Sequence, residues 1–282
     1  MHSMGTRLDL VFPGIDALEC DEIVKQIMME LVRIEAMLSI YQHDSAVSHI
    51  NKTAHAGVVE LDAELLSIFQ DILQYHEDSG GYFDITMRPV FTYYQNKGGE
   101  DSPLPDEVTR IIGMDKIEVD NKGIRFKEKG VQVDLGGFGK GYAVKKVLQI
   151  LKSRRIECTL LSFGESLVSG IGKHPFGDAW KISVPVHESA EPVEFTLKDE
   201  TLSTSGNTLN NQKKFTSSGH IVNPLTLLMK RGNGLVSVKS ADPLKAEVFS
   251  TALFCAGEVH SIEILKSNPD LKAQWLMGET NF

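Results

Sequence analysis

The sequence predicts an α+β protein in which mixed or antiparallel sheets are flanked by helices. Helical and strand periodicities are interleaved along the 282 residues, but without the strict alternation of a parallel α/β sheet. Short strand patterns follow one another closely in the second half of the chain, which favours an antiparallel meander. The length suits one large domain or two moderate ones. We therefore predict a single domain over residues 1–282, with two α/β lobes as the alternative.

The first half of the chain predicts two amphipathic helices. Residues 18–38 place apolar side chains at helical steps and contain neither Pro nor Gly. Residues 62–76 form a second apolar stripe, which begins at an aspartate suited to the N-cap and ends before Gly80-Gly81. A strand is predicted over residues 7–12, and residues 95–106, rich in Gly and Pro, are predicted to be a loop.

The second half predicts a strand over residues 131–135, then a glycine-rich turn and a helix over residues 141–152. Two further helices are predicted near the end of the chain, over residues 247–255 and 261–267. Five more strands are predicted between these helices, over residues 159–163, 167–171, 180–184, 193–197 and 235–238.

Charge and composition exclude some function classes. Lys and Arg number 29 against 38 Asp and Glu, so the formal net charge is −9 and nucleic-acid binding is not expected. A membrane-spanning helix needs about 20 apolar residues, and membrane insertion is not expected. The N-terminus has neither a signal-peptide pattern nor a lipobox cysteine, so we expect a cytoplasmic protein or a trimmed sequence. Three cysteines lie far apart, which favours small buried residues in a reducing compartment: Cys20, Cys158 and Cys255.

The densest unusual segment is residues 133–143, where four glycines fall within six positions before the predicted helix. Glycines let the backbone approach a ligand closely, and a helix start offers free N–H groups, so with Lys140 the segment could hold a phosphate. It matches neither a P-loop nor GxGxxG. A tight packing turn with a surface lysine has equal weight on this pattern alone.

Three other segments carry polar groups whose functional interpretation is weaker than the structural one when each is taken alone. Asp84, between aromatic and β-branched residues, could bind a ligand or cap a turn. His220 follows a Ser- and Thr-rich segment and could accept a proton near neutral pH. Glu247 and Thr251, spaced i and i+4, could offer hard oxygens to Mg²⁺. On spacing alone, an exposed glutamate and a helix threonine bonded to a carbonyl are favoured.

Taken together and in order, these segments resemble the FAD:protein FMN transferases of the ApbE family. The resemblance covers nearly the whole chain. It rests on residues 4–6, 38–45, 50–51, 81–86, 134–141, 204–207, 220–224 and 250–254.

The resemblance implies a T-fold-like α+β fold with the flavin site between its lobes. It implies that FAD is cleaved with Mg²⁺, that AMP leaves, and that FMN is joined through its phosphate to a Thr or Ser of a partner protein. It also implies residue roles. His220 and Glu247 would be catalytic, and the metal would contact Gly137, Glu247 and Thr251. The flavin nucleotide would contact Met4, Tyr41, Tyr82, Phe83, Asp84, Asp134, Lys140, Ser205, His220 and Ile221.

The chain departs from the family pattern near the nucleotide. Glu247 stands where the family usually has aspartate, and Glu165 stands where it has glycine. Leu225 and Leu227 replace an arginine and a glycine. Like-charge repulsion and a lost phosphate donor predict weaker binding or slower transfer. Two alternatives therefore stay open, an FAD-binding protein without turnover and an Mg²⁺-dependent FAD pyrophosphatase, and a homodimer is compatible with either.

Overall fold

The computed structural model describes residues 1–96, 103–186, 191–206, 221–230 and 234–277. Seven helices are formed in these ranges: α1 (Ala17–Leu38), α2 (Ala46–Thr53), α3 (Ala63–Asp78), α4 (Arg88–Asn96), α5 (Asp106–Thr109), α6 (Gly136–Ser153) and α7 (Pro243–Ser267). Eleven strands accompany them: β1 (His2–Ser3), β2 (Thr6–Val11), β3 (Ile117–Asp120), β4 (Gly123–Phe126), β5 (Thr159–Phe163), β6 (Leu167–Ile171), β7 (Trp180–Val184), β8 (Val193–Leu197), β9 (Glu200–Gly206), β10 (Gly234–Ser240) and β11 (Lys272–Met277).

The strands build one seven-stranded sheet and two separate hairpins. The sheet has the order β1-β2-β5-β6-β9-β10-β11, and β3–β4 and β7–β8 are the hairpins. Every pairing among these strands is antiparallel. The predicted α+β class with antiparallel sheets is therefore confirmed. The simple meander is wrong, because β7–β8 leaves the sheet and β6 pairs with β9 instead.

Both predicted N-terminal helices form, and their ends follow the expected chemistry. The Asp62 carboxylate accepts a hydrogen bond from the Leu65 N–H at 2.7 Å and so caps α3. Gly80 and Gly81 follow the helix at φ 63° and 84°, a conformation that glycine adopts without steric cost. The buried stripes of α1 and α3 join the main hydrophobic core.

Residues 131–135 are not a strand. They are apolar and buried at alternate positions, but their backbone pairs with no other strand. The Asn51 side chain instead bonds both polar groups of the Val133 backbone, at 2.8 and 2.9 Å, and the Asp134 N–H donates to the Ile85 carbonyl at 2.8 Å. The glycines that follow are also not a turn before the helix, because α6 already begins at Gly136.

The two helices predicted near the C-terminus both form within α7 and are separated by a kink at Gly257. Gly257 has φ 72° and ψ 171°, which breaks the helical path between the two predicted segments. By length and composition alone α7 is long and apolar enough to cross a membrane, a test that buried core helices also pass, and its helical path is interrupted at Gly257. Just over half of its apolar window is buried, and the helix packs against α6, β9 and β10.

The crossing of α6 and α7 depends on Gly141. A Cβ at this position would lie 2.8 Å from the Glu247 Cβ and 2.9 Å from the Leu244 Cα. A real Cβ does not approach backbone so closely. The missing side chain therefore lets α6 bring Lys140 against the buried start of α7.

We expect Gly141→Ala to lower the thermal midpoint, because the two helices must separate to admit a methyl group. Overpacking of this kind costs about 1–3 kcal/mol. Gly177→Ala is the matched control, since a Cβ there meets nothing nearer than 3.9 Å. Thermal unfolding of both variants checks the prediction, and equal midpoints would contradict it.

Candidate active site

One cavity of about 730 Å³ is lined by residues from both halves of the chain. Its walls come from the start of α6, the middle of α7, the β5–β6 turn, strands β7 and β9, and the segments 82–91 and 221–224. Volumes of this size are typical of small-molecule and cofactor sites. The wall carries both charged and aromatic side chains, so the cavity suits a polar ligand with ring systems.

The charged centre of the cavity is an ion pair between Lys140 and Glu247. The Lys140 Nζ lies 3.1 Å from the Glu247 Oε1 and donates to the Ser166 hydroxyl at 2.9 Å. Glu247 is only 4% exposed, so it is not the solvated helix glutamate that spacing alone allowed. A carboxylate this deep needs a partner, and Lys140 supplies it.

A cluster of hydroxyl groups extends the polar wall beside Glu247. The Ser203 hydroxyl lies 3.3 Å from the Glu247 Oε2 and 2.9 Å from the Ser250 Oγ. The Ser205 Oγ lies 2.8 Å from the Ser250 Oγ and 3.2 Å from the Thr251 Oγ1. Of this cluster, Ser205 and Thr251 line the cavity, while Ser203 and Ser250 are fully buried.

Another part of the cavity wall is organised by Arg88, which the sequence patterns did not single out. Its guanidinium lies over the Tyr41 ring at 5.5 Å and over the Phe91 ring at 5.8 Å. Its Nη1 lies 3.5 Å from the Asp134 Oδ2. Asp134 also accepts the Gly136 N–H at 3.0 Å, so a carboxylate already occupies part of the helix start that was expected to face phosphate. Asp134 is better suited to hydroxyl or amino groups of a ligand.

Asp84 lies half-buried in the same wall. Burial raises the pKa of its carboxyl, and the hydrogen bonds from Thr86 oppose that shift. The Thr86 N–H donates to the Asp84 Oδ1 at 2.7 Å, and the Thr86 hydroxyl donates to the same oxygen at 2.5 Å. The carboxyl is thus held in one orientation, with its second oxygen free of any bond to Thr86.

Eleven of the thirteen predicted site residues line this cavity. They are Tyr41, Tyr82, Phe83, Asp84, Asp134, Gly137, Lys140, Ser205, Ile221, Glu247 and Thr251. Met4 is not among the lining residues; its methyl packs on Gly139 from the β1–β2 turn. His220 lies outside the described residues. The individual roles of all thirteen stay predictions.

The chain's departures from the family pattern occupy different places. Glu165 lines the cavity and has φ 61°, a left-handed conformation that is costly for a residue with a Cβ. Leu225 is 56% exposed and is not among the lining residues; its Cδ2 lies 3.3 Å from where a Cβ on Gly81 would stand. The structure thus brings one of these two residues to the cavity wall.

We expect Glu165→Gly to tighten FAD binding by no more than about five-fold, the effect of one solvent-screened charge at about 4 Å. The change removes a negative charge from the cavity and also relieves backbone strain. Arg155→Gly is the control, because Arg155 has φ 58° and does not line the cavity. Fluorescence titration with FAD checks the affinity, and a matching change in both variants would contradict the charge argument.

The oxygen groups near Glu247 fit Mg²⁺ only in part. A carboxylate, the Thr251 hydroxyl and the Gly137 carbonyl are hard oxygen donors, which Mg²⁺ prefers. A Cβ on Gly137 would lie 3.8 Å from the Thr251 Oγ1, which places these two residues side by side. Among the described residues, no group of three or more His, Cys, Asp or Glu could hold a metal. The donors present therefore suit a metal that also takes phosphate oxygens from a bound nucleotide.

The fold and the cavity define an α+β protein with a charged ligand site built on an antiparallel sheet. A family model described as the ApbE family matches residues 4–275. The chain belongs to the ApbE family, as its sequence motifs indicated.

Curated relatives and solved structures agree with this membership. An FAD:protein FMN transferase of Salmonella typhimurium is 26% identical over 281 residues, covering 94% of this chain and 79% of that protein. One of Haemophilus influenzae is 24% identical, covering 83% and 72%. The flavin transferase ApbE from Vibrio cholerae has a TM-score of 0.82 at 20% identity, covering 100% of this chain and 93% of the other. This structural likeness shows the fold.

Proposed function

We propose that this protein is an FAD:protein FMN transferase. It cleaves the pyrophosphate of FAD, joins FMN by a phosphoester bond to a Thr or Ser of a partner protein, and releases AMP. The observation that carries the proposal is the Lys140–Glu247 pair beside a hydroxyl cluster in the large cavity. Relatives named for this activity over most of their length support it.

The reaction exchanges the phosphoanhydride bond of FAD for a phosphate ester. A bond forms between the acceptor hydroxyl oxygen and the phosphorus of the FMN half, and the bond from that phosphorus to the bridging oxygen breaks. The bridging oxygen leaves with AMP, and the hydroxyl proton passes to a base or to water. Such transfers depend mainly on positioning and on neutralising phosphate charge. The residues around Lys140 are suited to both tasks.

Each group of the site has a proposed role in that transfer. When FAD binds, Lys140 changes its ion-pair partner from the Glu247 carboxylate to the phosphates and neutralises their oxygens. Glu247, Thr251 and the Gly137 carbonyl would hold Mg²⁺, which would supply charge stabilisation at the phosphates. Tyr41, Tyr82 and Phe83 contact the rings, and Asp84 and Asp134 accept hydrogen bonds from them. His220 is proposed as a catalytic group. We also propose a cytoplasmic location, because a reducing compartment fits the three free cysteines.

One incubation separates this proposal from its two alternatives. The protein is mixed with FAD, MgCl₂ and a nine-residue peptide with threonine at its centre, valine at even positions and lysine at the remaining positions. Covalent FMN on the peptide with stoichiometric AMP supports the transferase. AMP with free FMN indicates the pyrophosphatase, and intact bound FAD indicates a binding protein. A peptide with central alanine and a sample with EDTA are the controls, and both should stay unlabelled.

A further inference from the structure

The hairpin strand β7 borders the cavity with its edge. Four consecutive residues line the cavity there, three from β7 and the one that follows it: Ile182, Ser183, Val184 and Pro185. A strand that turned one face to a cavity would contribute only every second residue, because successive side chains point to opposite faces. An unbroken run of four is what an edge gives. The β7 edge therefore forms part of the wall of the site that also contains Lys140 and Glu247.

The β7 edge has no strand partner among the described residues. Strand β7 pairs only with β8 there. The Thr196 carbonyl of β8 accepts a hydrogen bond from the Lys239 Nζ of β10 at 3.2 Å. This bond indicates that the backbone carbonyl of Thr196 points away from β7. Its cross-strand partner is Lys181. In an antiparallel pair, the two opposed residues either bond to each other or both direct their N–H and C=O groups away from the partner strand. Lys181 therefore points these groups away from β8. Ser183, two residues further along β7, does the same.

The chemistry of this edge selects a polypeptide as its occupant. Outward N–H and C=O groups at every second residue are complementary to another extended backbone, the basis of strand addition. Lys181 and Ser183 are both exposed, so no other part of the described chain covers the edge at these two residues. Pro185 has no N–H and ends the row of donors. The edge is thus short and adjoins the cavity. A segment bound along it would have one residue close to the cavity, which suits a segment that carries one reactive hydroxyl.

We propose that the β7 edge binds the acceptor segment of the partner protein as an added strand and so directs its Thr or Ser into the cavity. This inference rests on the proposed transferase function. It adds the mode of partner recognition, in which backbone hydrogen bonds to β7 supply affinity and the cavity admits only the hydroxyl side chain. A short, extended segment then suffices as acceptor, without the rest of the partner's fold.

The test removes one backbone donor from the edge. Ser183→Pro deletes the outward N–H, and edge strands tolerate proline; Ser183→Ala keeps the N–H and is the matched control. With the threonine peptide described above and FAD at a saturating concentration for each variant, Ser183→Pro should label at least ten-fold more slowly than Ser183→Ala. A peptide N-methylated at alternate amides should be labelled at least ten-fold more slowly by the unaltered protein, which excludes a folding defect as the cause.

Hydrogen exchange measures binding of the peptide to the β7 edge separately from its labelling. The peptide should slow exchange of the Lys181 and Ser183 amides in the FAD-loaded protein. Slowed exchange without FAD cleavage would keep the docking surface and reject the transferase. AMP release with no labelled peptide and no slowed exchange would overturn the docking surface alone. Equal labelling by Ser183→Pro and Ser183→Ala, or of the N-methylated peptide, would also overturn it.

Discussion

Replacing Glu247 by glutamine is expected to lower the rate of AMP release from FAD by about 10²–10³-fold, the usual cost of losing one group that stabilises transition-state charge. Ser203 and Lys140 contact the two carboxylate oxygens of Glu247 at 3.3 and 3.1 Å. Glutamine keeps the shape, with one oxygen that can accept from Lys140 and an amide N–H that can donate to the Ser203 hydroxyl oxygen. It cannot supply the negative charge that a divalent cation needs. The fold should therefore survive while turnover is lost.

The same variant tests how the metal is held. One carboxylate, one hydroxyl and one carbonyl are too few to bind Mg²⁺ tightly without phosphate oxygens. Calorimetry should show weak Mg²⁺ binding to the free protein, much tighter binding with ADP present, and loss of that gain in Glu247→Gln. Glu200→Gln is the control, since Glu200 also pairs with a lysine, at 2.9 Å, but does not line the cavity. Equal Mg²⁺ affinity with and without ADP would contradict the shared site.

The elements predicted best from the sequence are those whose local signals agree with their tertiary environment. Helices α1 and α3 combine an apolar stripe with an aspartate cap, and the caps form at Asp16 and Asp62. Strand β9 went unpredicted because two of its three buried positions are polar. Thr201 and Ser203 lie in the core, where their hydroxyls pair with Ser169 and with Ser250. No apolar alternation marks such a strand, since its side-chain hydrogen bonds form only after folding.

The site was predictable where a motif concentrates its residues and not where distant segments meet. The glycine-rich segment marked Lys140, yet only the packing of α6 on α7 shows that its partner is the buried Glu247. Arg88 joins Tyr41, which is 47 positions away, and Asp134 on a third segment. No spacing rule links such positions. The part that β7 takes in the cavity wall was unpredictable for the same reason, because it depends on how a hairpin folds over the sheet.

Replacing Lys140 by methionine is expected to weaken FAD binding by about 10- to 150-fold, which corresponds to the roughly 1.5–3 kcal/mol of a hydrogen bond to a charged group. Methionine retains much of the length of the side chain and removes its charge. Lys145→Met is the matched control, because Lys145 lies on the same helix and pairs with Asp242 at 2.9 Å, but does not line the cavity. Fluorescence titration at fixed salt should show the loss in the first variant alone.

Stability measurements separate the two jobs of Lys140. Without it, the Glu247 carboxylate stays buried and unpaired, so Lys140→Met should also unfold at a lower temperature. The loss of stability is reduced because the Lys140 side chain is 26% exposed, so solvent partly screens the ion pair. Adding Glu247→Gln removes the unpaired charge and should restore most of the thermal stability, yet FAD affinity should remain low. If the double variant regained FAD binding together with stability, Lys140 would serve only to neutralise Glu247 and would not contact the phosphates.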